Sequence, residues 1–223
     1  MVRGTPCSTT SRLRNKALPH GPRPLRNRSS FWELKGLSAN LKRRLAEANT
    51  LYIHYLALCE SVSAVGGAHL WEHPEDPGQE PFPSIFNTIE MTEMETRTNS
   101  KRAVFDQCVF GCRVKKGTCI TSTLDNIEEL DNLRCPGTSE HHRHSGKSWG
   151  LDSKGRWESR RLQAYPTRLA HAFAHHCFVT LQRFLTTGTG PTGHLHHHQA
   201  VQRVTSYGSR CGSEARAGRV FLC

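Results

Sequence analysis

From Ser38 onward, apolar residues recur at steps of three and four: Leu41, Leu45, Ala48, Tyr52, Tyr55, Cys59 and Val62. Lys42, Arg43, Glu47 and His54 fall elsewhere around the wheel. This is the period of an amphipathic helix. Ser38 predicts its N-cap, and Gly66-Gly67 predicts a left-handed cap at its end. Burying the four largest apolar side chains contributes roughly 6–12 kcal/mol before entropy. A short apolar run, Ala68-His69-Leu70-Trp71, then ends at Glu72-His73-Pro74. A helix, a Gly-Gly turn and a short strand ending in an acid make half of a βαβ unit. In open parallel sheets, groups that meet a ligand stand at the carboxyl ends of strands, and Glu72 is at such an end.

Residues 75–83 form a proline-rich acidic loop, and Pro83-Ser84-Ile85-Phe86 opens a short helix to about Glu95. Lys101 to Cys108, centred on Ala103-Val104-Phe105, predicts a second strand. Phe110-Gly111 turns the chain, and Lys115 to Thr121 predicts a third strand through β-prone Thr118, Ile120 and Thr121. Asp125 to Leu133 predicts a short helix with Ile127, Leu130 and Leu133 on one side. A polar loop over 134–160 precedes a last helix, Thr167 to Leu185, opened by Pro166 and carrying Leu169, Phe173, Cys177, Leu181 and Leu185 in step. The implied fold class is α/β, a three-strand sheet with flanking helices. Its parts are a basic loop over 1–37, a folded unit over 38–185, and a disordered Gly/His/Ser-rich tail over 186–223.

Charge alters the picture mainly at the start. The 223 residues carry a formal net charge of +11. Within residues 1–45, Arg3, Arg12, Arg14, Lys16, Arg23, Arg26, Arg28, Lys35, Lys42, Arg43 and Arg44 face the single acid Glu33. Such a segment suits DNA or RNA, because displaced counterions drive association with phosphates; the plain alternative is a solvated tail. No apolar run is long enough to span a membrane, and no apolar h-region marks a secretory signal. The cysteines number nine, an odd count without paired spacing. Free thiols in a reducing, nuclear or cytoplasmic compartment are expected rather than a disulfide framework.

Near the start, Pro6-Cys7 is followed by the hydroxyl-rich Ser8-Thr9-Thr10-Ser11-Arg12. Pro6-Cys7-x-x-x-Ser11 resembles the nucleophile motif of DNA cytosine-5 methyltransferases. Leu70-Trp71-Glu72-His73-Pro74 resembles their strand-end Glu-Asn-Val motif. Phe110-Gly111-Cys112-Arg113-Val114-Lys115-Lys116-x-Thr118 is similar to their Tyr-Gly-Val-Pro-Gln-x-Arg-x-Arg segment, with lysines for the basic pair. Tyr165-Pro166-Thr167-Arg168-Leu169-Ala170 is similar to the start of their closing helix. The four stand in the family's own order. A closer resemblance is to methyltransferase-like domains of mobile-element open reading frames in protists and fungi. It rests on Gly21 to Arg26, Glu47-Ala48-Asn49, Glu72-His73-Pro74, Asp106 to Gly111, and Cys135 to His144, and it covers roughly residues 4–175.

The resemblance implies a truncated Rossmann-like methyltransferase sheet. It makes Cys7 the nucleophile toward C6 of cytosine and Glu72 the carboxyl that protonates or hydrogen-bonds N3. Ser11, Arg12, Arg23, Arg26, Lys115 and Lys116 would hold substrate or phosphate, and the target base would be flipped out of its duplex. The family's cofactor is S-adenosylmethionine. Its site lies in strands before the Pro-Cys loop, so none is expected to bind this chain. The strand that delivers Cys7 is likewise expected before residue 1, with the missing half supplied elsewhere. Thr10 stands where an aromatic is usual, and His73 replaces the family's Asn. The expectation is therefore a remnant, inactive alone. The alternatives are a basic nucleic-acid-binding accessory protein of a mobile element, or a partly spurious gene product whose tail is out-of-frame translation. Cys135, His141, His142 and His144 have metal-ligand types. Their spacing fits no structural zinc pattern and lacks a second cysteine nearby, so they are read as adventitious metal binding or plain loop.

Overall fold

The computed structural model describes residues 2–4, 7–12, 14–15, 22–147, 150, 153–155, 158 and 162–188. The chain opens with a three-residue strand, β1 (Val2–Gly4), where the sequence predicts only loop. It leads directly into a 3-10 turn over Cys7–Thr9. The strand that delivers Cys7 is thus within the chain and not before it.

Helix α1 spans Ala39–Ala64. Ser38 stands at its N-cap in extended backbone but makes no side-chain capping bond. At the other end Gly66 takes φ +77°. The Gly66 and Gly67 amides reach back to the Ser63 and Val62 carbonyls at 3.0 and 2.9 Å, the predicted glycine cap. Strand β2 (Leu70–Pro74) follows and pairs in parallel with β1, Leu70 opposite Val2 and Glu72 opposite Gly4. The predicted half is therefore a whole βαβ unit.

Helix α2 (Ile89–Thr98) is held at its start by Thr88, whose hydroxyl accepts from the Met91 amide at 3.3 Å. Asn99 ends it in the left-handed region at φ 53°. Strands β3 (Lys101–Asp106) and β4 (Gly117–Ser122) form an antiparallel pair. Residues 107 and 108, predicted as strand, instead begin a 3-10 turn over Gln107–Phe110 closed by Gly111 at φ +95°. Strand β4 inserts between β2 and β3, antiparallel to both. The sheet order is β1-β2-β4-β3: the expected three strands form an antiparallel set, and β1 adds a short fourth. Helix α3 (Thr167–Thr187) starts at Pro166 and ends at Gly188, two residues beyond the predicted stop. The tail from 189 lies outside the described residues.

The predicted helix over Asp125–Leu133 shortens to a 3-10 turn, Ile127–Leu130. Asn126 and Asn132 take φ 57° and 60°, and a left-handed residue at each end leaves no room for another helical turn.

Alternate strand residues feed two cores, as the strand period requires. Trp71 and Cys119 face α1 and α2, joining Tyr52, Tyr55, Leu56, Cys59, Met91 and Met94. Leu70, Ala103, Phe105 and Ile120 face the other way, against Ile127, Leu130, Leu169 and Phe173. The result is a sheet covered on both faces, mixed α/β. Residues 22–37 have no regular structure, yet Leu25, Phe31 and Leu37 are buried, and Leu25 and Leu37 pack on Leu45 of α1.

Candidate functional site at the carboxyl edge of the sheet

Strands β1 and β2 run in parallel, so both carboxyl ends open on one edge. The reversed β4 begins at that edge, and β3 ends there at Asp106. The topology therefore gathers the Cys7 turn, Glu72, Asp106, Lys115 and Lys116, residues spread over a hundred positions.

Glu72 is buried. Its Oε2 accepts from the Tyr165 hydroxyl at 3.2 Å. Its Oε1 has no hydrogen-bond donor and only the Lys116 ammonium at 3.8 Å. Burial pushes the carboxyl pKa up, opposed by Lys116 and by the Tyr165 hydrogen bond. A carboxyl that holds its proton to higher pH than usual can, while protonated, donate to a ligand nitrogen. Lys116 is itself steered, donating to the Leu162 carbonyl at 3.2 Å.

Next to Glu72, His73 is enclosed. Its Nε2 lies 2.8 Å from the Tyr52 hydroxyl and 3.1 Å from the Thr10 hydroxyl. Burial above all, with the charges of Arg26 and Lys116 and against a raising contribution from the Pro74 backbone, lowers its pKa to about 3, so it is neutral at pH 7. Thr10 follows the Cys7–Thr9 turn, and this cluster therefore ties that turn to the end of β2. Arg14 and Asn15 tie it from the other side. Arg14 donates to the Ser8 carbonyl at 3.0 Å and the Arg23 carbonyl at 2.8 Å. Asn15 donates to the Arg26 carbonyl at 2.9 Å and the Pro81 carbonyl at 3.0 Å.

The remaining expected site residues separate by environment. Backbone register brings Cys7 to the same edge as Glu72; its side chain lies outside the described set. Ser11 is half-buried, and Arg12 and Arg23 are exposed. Arg26 is fully buried. It donates to the Thr9 hydroxyl at 3.1 Å and the Phe31 carbonyl at 2.8 Å, and its guanidinium lies 4.7 Å from the Phe31 ring centre. Burial lowers its pKa to about 10. In that position it braces the turn and does not face a phosphate. Lys115 is exposed, 3.7 Å from the Asp106 carboxylate.

Cys135, His142 and His144 do converge, and the second cysteine missing from the local sequence comes from the 3-10 turn after β3. The ligand atoms of Cys108, Cys135, His142 and His144 all lie within 4.8 Å of one another. His141 is exposed and stands outside the group. Sequence reasoning passed over Tyr165 and Cys108, although both sit inside quoted motifs, Tyr165-Pro166 and Asp106-Gln107-Cys108. It also gave no part to Tyr52, whose helical period announces only a core position.

A depression of about 330 Å3 lined by Thr88, Ile89, Thr92 and Arg97 lies along α2. None of the residues gathered at the sheet edge lines it, so the chemistry marks the edge and not this hollow. No family model matches the chain, and comparison with curated proteins and with solved structures returns no match either.

Proposed function

We propose that this chain carries the base-recognition part of a DNA cytosine-5 methyltransferase-like domain, of the kind found in mobile-element open reading frames, and does not methylate DNA alone. The observation that carries the reading is Glu72. It is a buried carboxyl with a raised pKa and one oxygen, Oε1, without a hydrogen-bond donor, at the edge where the Cys7 turn leaves the sheet. Tyr165 occupies Oε2 as an acceptor, which leaves Oε1 to carry the proton. A protonated Oε1 donates to N3 of cytosine, a bare acceptor. Thymine presents N3–H there and is refused until the acid ionises. A nucleophile turn and an acid on adjacent parallel strands occupy the place where open α/β sheets meet ligands.

The resemblance also implies S-adenosylmethionine, and the described residues do not fit it. The Gly66-Gly67 pair closes a helix, and a Cβ at Gly67 would meet Val62 atoms at 2.9 and 3.0 Å, so no cradle opens there. No methyl-transfer step is assigned to this chain. The outer edge of β1 has no partner strand among the described residues, and Leu51 and Leu58 of α1, with Val65 just past its end, are exposed at seven-residue intervals. Both features support a complementary half as partner.

The test is binding of duplex DNA with one destabilised cytosine, against the same duplex with thymine there. A cytosine preference of about tenfold is expected at pH 6, the worth of about one good polar contact. It falls as the pH rises and Glu72 ionises. Glu72→Gln, whose amide also donates, keeps the preference at every pH. Glu72→Ala loses it. A preference unaffected by Glu72→Ala would reject the reading. Calorimetry is expected to find no S-adenosylmethionine binding, and tight binding would overturn that part.

The accessory nucleic-acid-binding reading draws on exposed Arg12, Arg23, Lys35, Arg43 and Arg44. It predicts salt-steep binding with no base preference, untouched at Glu72.

A further inference from the structure

Loop 134–147 poses a packing problem. None of its side chains is fully buried, so hydrophobic burial does not hold it in place. The chain before it runs alongside β3. The Asn132 amide donates to the Val104 carbonyl at 2.9 Å, and the Asp106 amide donates to the Leu133 carbonyl at 2.9 Å. The Cys135 amide then donates to the buried Asp106 carboxylate at 2.9 Å. This pairing sets Cys135 beside Cys108, at the start of the turn after β3. The loop folds back through paired Ser139 and His142 and returns His142 and His144 to the same point.

Both imidazoles aim Nε2 at one sulfur, Cys135 Sγ, at 3.5 and 3.6 Å. A thiol has one proton and cannot donate to both. A tetrahedral ion with bonds of about 2.3 Å to sulfur and about 2.0 Å to nitrogen places a sulfur and a nitrogen ligand about 3.5 Å apart, which is the spacing of Cys135 Sγ from both imidazoles, and all four ligand atoms lie within 4.8 Å of one another. The geometry points to a structural zinc site formed by Cys108, Cys135, His142 and His144. On binding, two Zn–S bonds and two Zn–N bonds form, and the two thiol protons leave to solvent. Two thiolates against Zn2+ leave a centre of zero net charge, which suits a half-buried position. Thiolate and imidazole together select zinc over hard cations, and four protein ligands leave no open position for catalysis. Both cysteines give up their thiol protons when they become ligands. Metal binding is then coupled to proton release. The ion would clamp the loop to the carboxyl edge of the sheet. This inference does not depend on the base-recognition reading.

The test uses the full chain under reducing conditions. Terminal histidines His194 and His196 to His198 offer a competing ligand set, so a variant with all four changed to Ala is the reference. About one zinc per chain is expected to survive dialysis in the wild type and in this reference, and also in His141→Ala. Cys108→Ser and Cys135→Ser should each retain less than about a tenth of it. Cobalt(II) in the wild-type chain should give a tetrahedral spectrum with a sulfur-to-cobalt charge-transfer band, a readout that needs no variant to fold. Tryptic cleavage at Arg143 should accelerate about tenfold on zinc removal. Zinc lost with the terminal histidines, zinc kept by Cys108→Ser, or a cobalt spectrum without the sulfur band would each overturn the proposal. Base preference at Glu72 is scored separately, so either conclusion can fail alone.

Discussion

Acidification offers a direct trial of the interior. His69 is completely buried. Its Nδ1 lies 3.1 Å from the Ser63 hydroxyl and its Nε2 3.0 Å from the Ser100 hydroxyl, so it bridges the end of α1 to the start of β3. Burial lowers its pKa to about 4, as it lowers that of His73 to about 3. In the unfolded chain both titrate near 6.5. Their folded values are depressed, so the unfolded state binds more protons as the pH falls below about 6.5, and stability falls with it. Between pH 7 and 5 each histidine contributes a loss of about 2 kcal/mol, and the pair about 4 kcal/mol. Glu72 acts with the opposite sign. Its folded pKa is raised, so protonation relieves a buried charge as the pH falls. The clean measurement is therefore the urea midpoint at pH 7, 6 and 5 in Glu72→Gln, with a chelator present to silence the Cys/His cluster. A drop of about 2 M is expected for an m-value of about 2 kcal/mol/M. His69→Gln or His73→Gln should each remove about half of the slope, whatever it does to the absolute stability. A midpoint that stays level between pH 7 and 5, or a double variant with the original slope, would refute the enclosure of these rings.

Four other outcomes follow from burial and charge. Trp71→Ala removes a fully buried ring packed 4.7 Å from Tyr55 and should cost about 3–5 kcal/mol by chemical denaturation. Arg26→Ala should cost about 2–4 kcal/mol, because a fully buried guanidinium and its two acceptors lose each other. Arg12→Ala and Arg23→Ala should move stability by less than about 0.5 kcal/mol while each flattens the salt slope of DNA binding by about one. Glu72→Gln should be more stable than the wild type at pH 8, with the gap closing toward pH 5, as equilibrium unfolding at the two pH values would measure.

The helices were legible because their apolar period is written locally. Tyr52, Tyr55 and Cys59 fall on the face that meets Trp71, and Leu169 and Phe173 of α3 meet Phe105. Strand β1 was not legible. Val2-Arg3-Gly4 is too short to show alternation, and it becomes a strand only by pairing with β2. The Asp125–Leu133 segment misled for a different reason. Ile127 and Leu130 do bury over the sheet, but the helical period says nothing about two asparagines that turn left-handed at either end. Glu72 could be picked out from its place after a helix and a strand. Its partner Tyr165 could not, since 93 residues separate them. Cys108 escaped because ligand spacing templates assume a knuckle, whereas here the two cysteines meet by lateral pairing of 132–135 with β3.

That difference between local and lateral information bears on how Thr10 and His73 are to be weighed. Taken singly, each departs from the pattern of the family proposed above. In space they form one unit. The Thr10 hydroxyl and the Tyr52 hydroxyl both meet His73 Nε2, and His73 is 1% exposed. An aromatic at position 10 would fill the volume where that hydroxyl accepts or donates. An asparagine at position 73 would leave Tyr52 reaching for a shorter side chain. Losing one of the two hydroxyls on this buried nitrogen costs about 1–2 kcal/mol, and the cost of changing Thr10 therefore depends on His73 being present. Thr10→Val in the wild type should therefore cost about 1–2 kcal/mol, and in His73→Asn close to nothing. A double-mutant cycle in urea gives the coupling directly. If the two costs simply add, the residues do not act as one unit. If they couple, Thr10, Tyr52 and His73 form one packed unit that ties the Cys7–Thr9 turn to the end of β2.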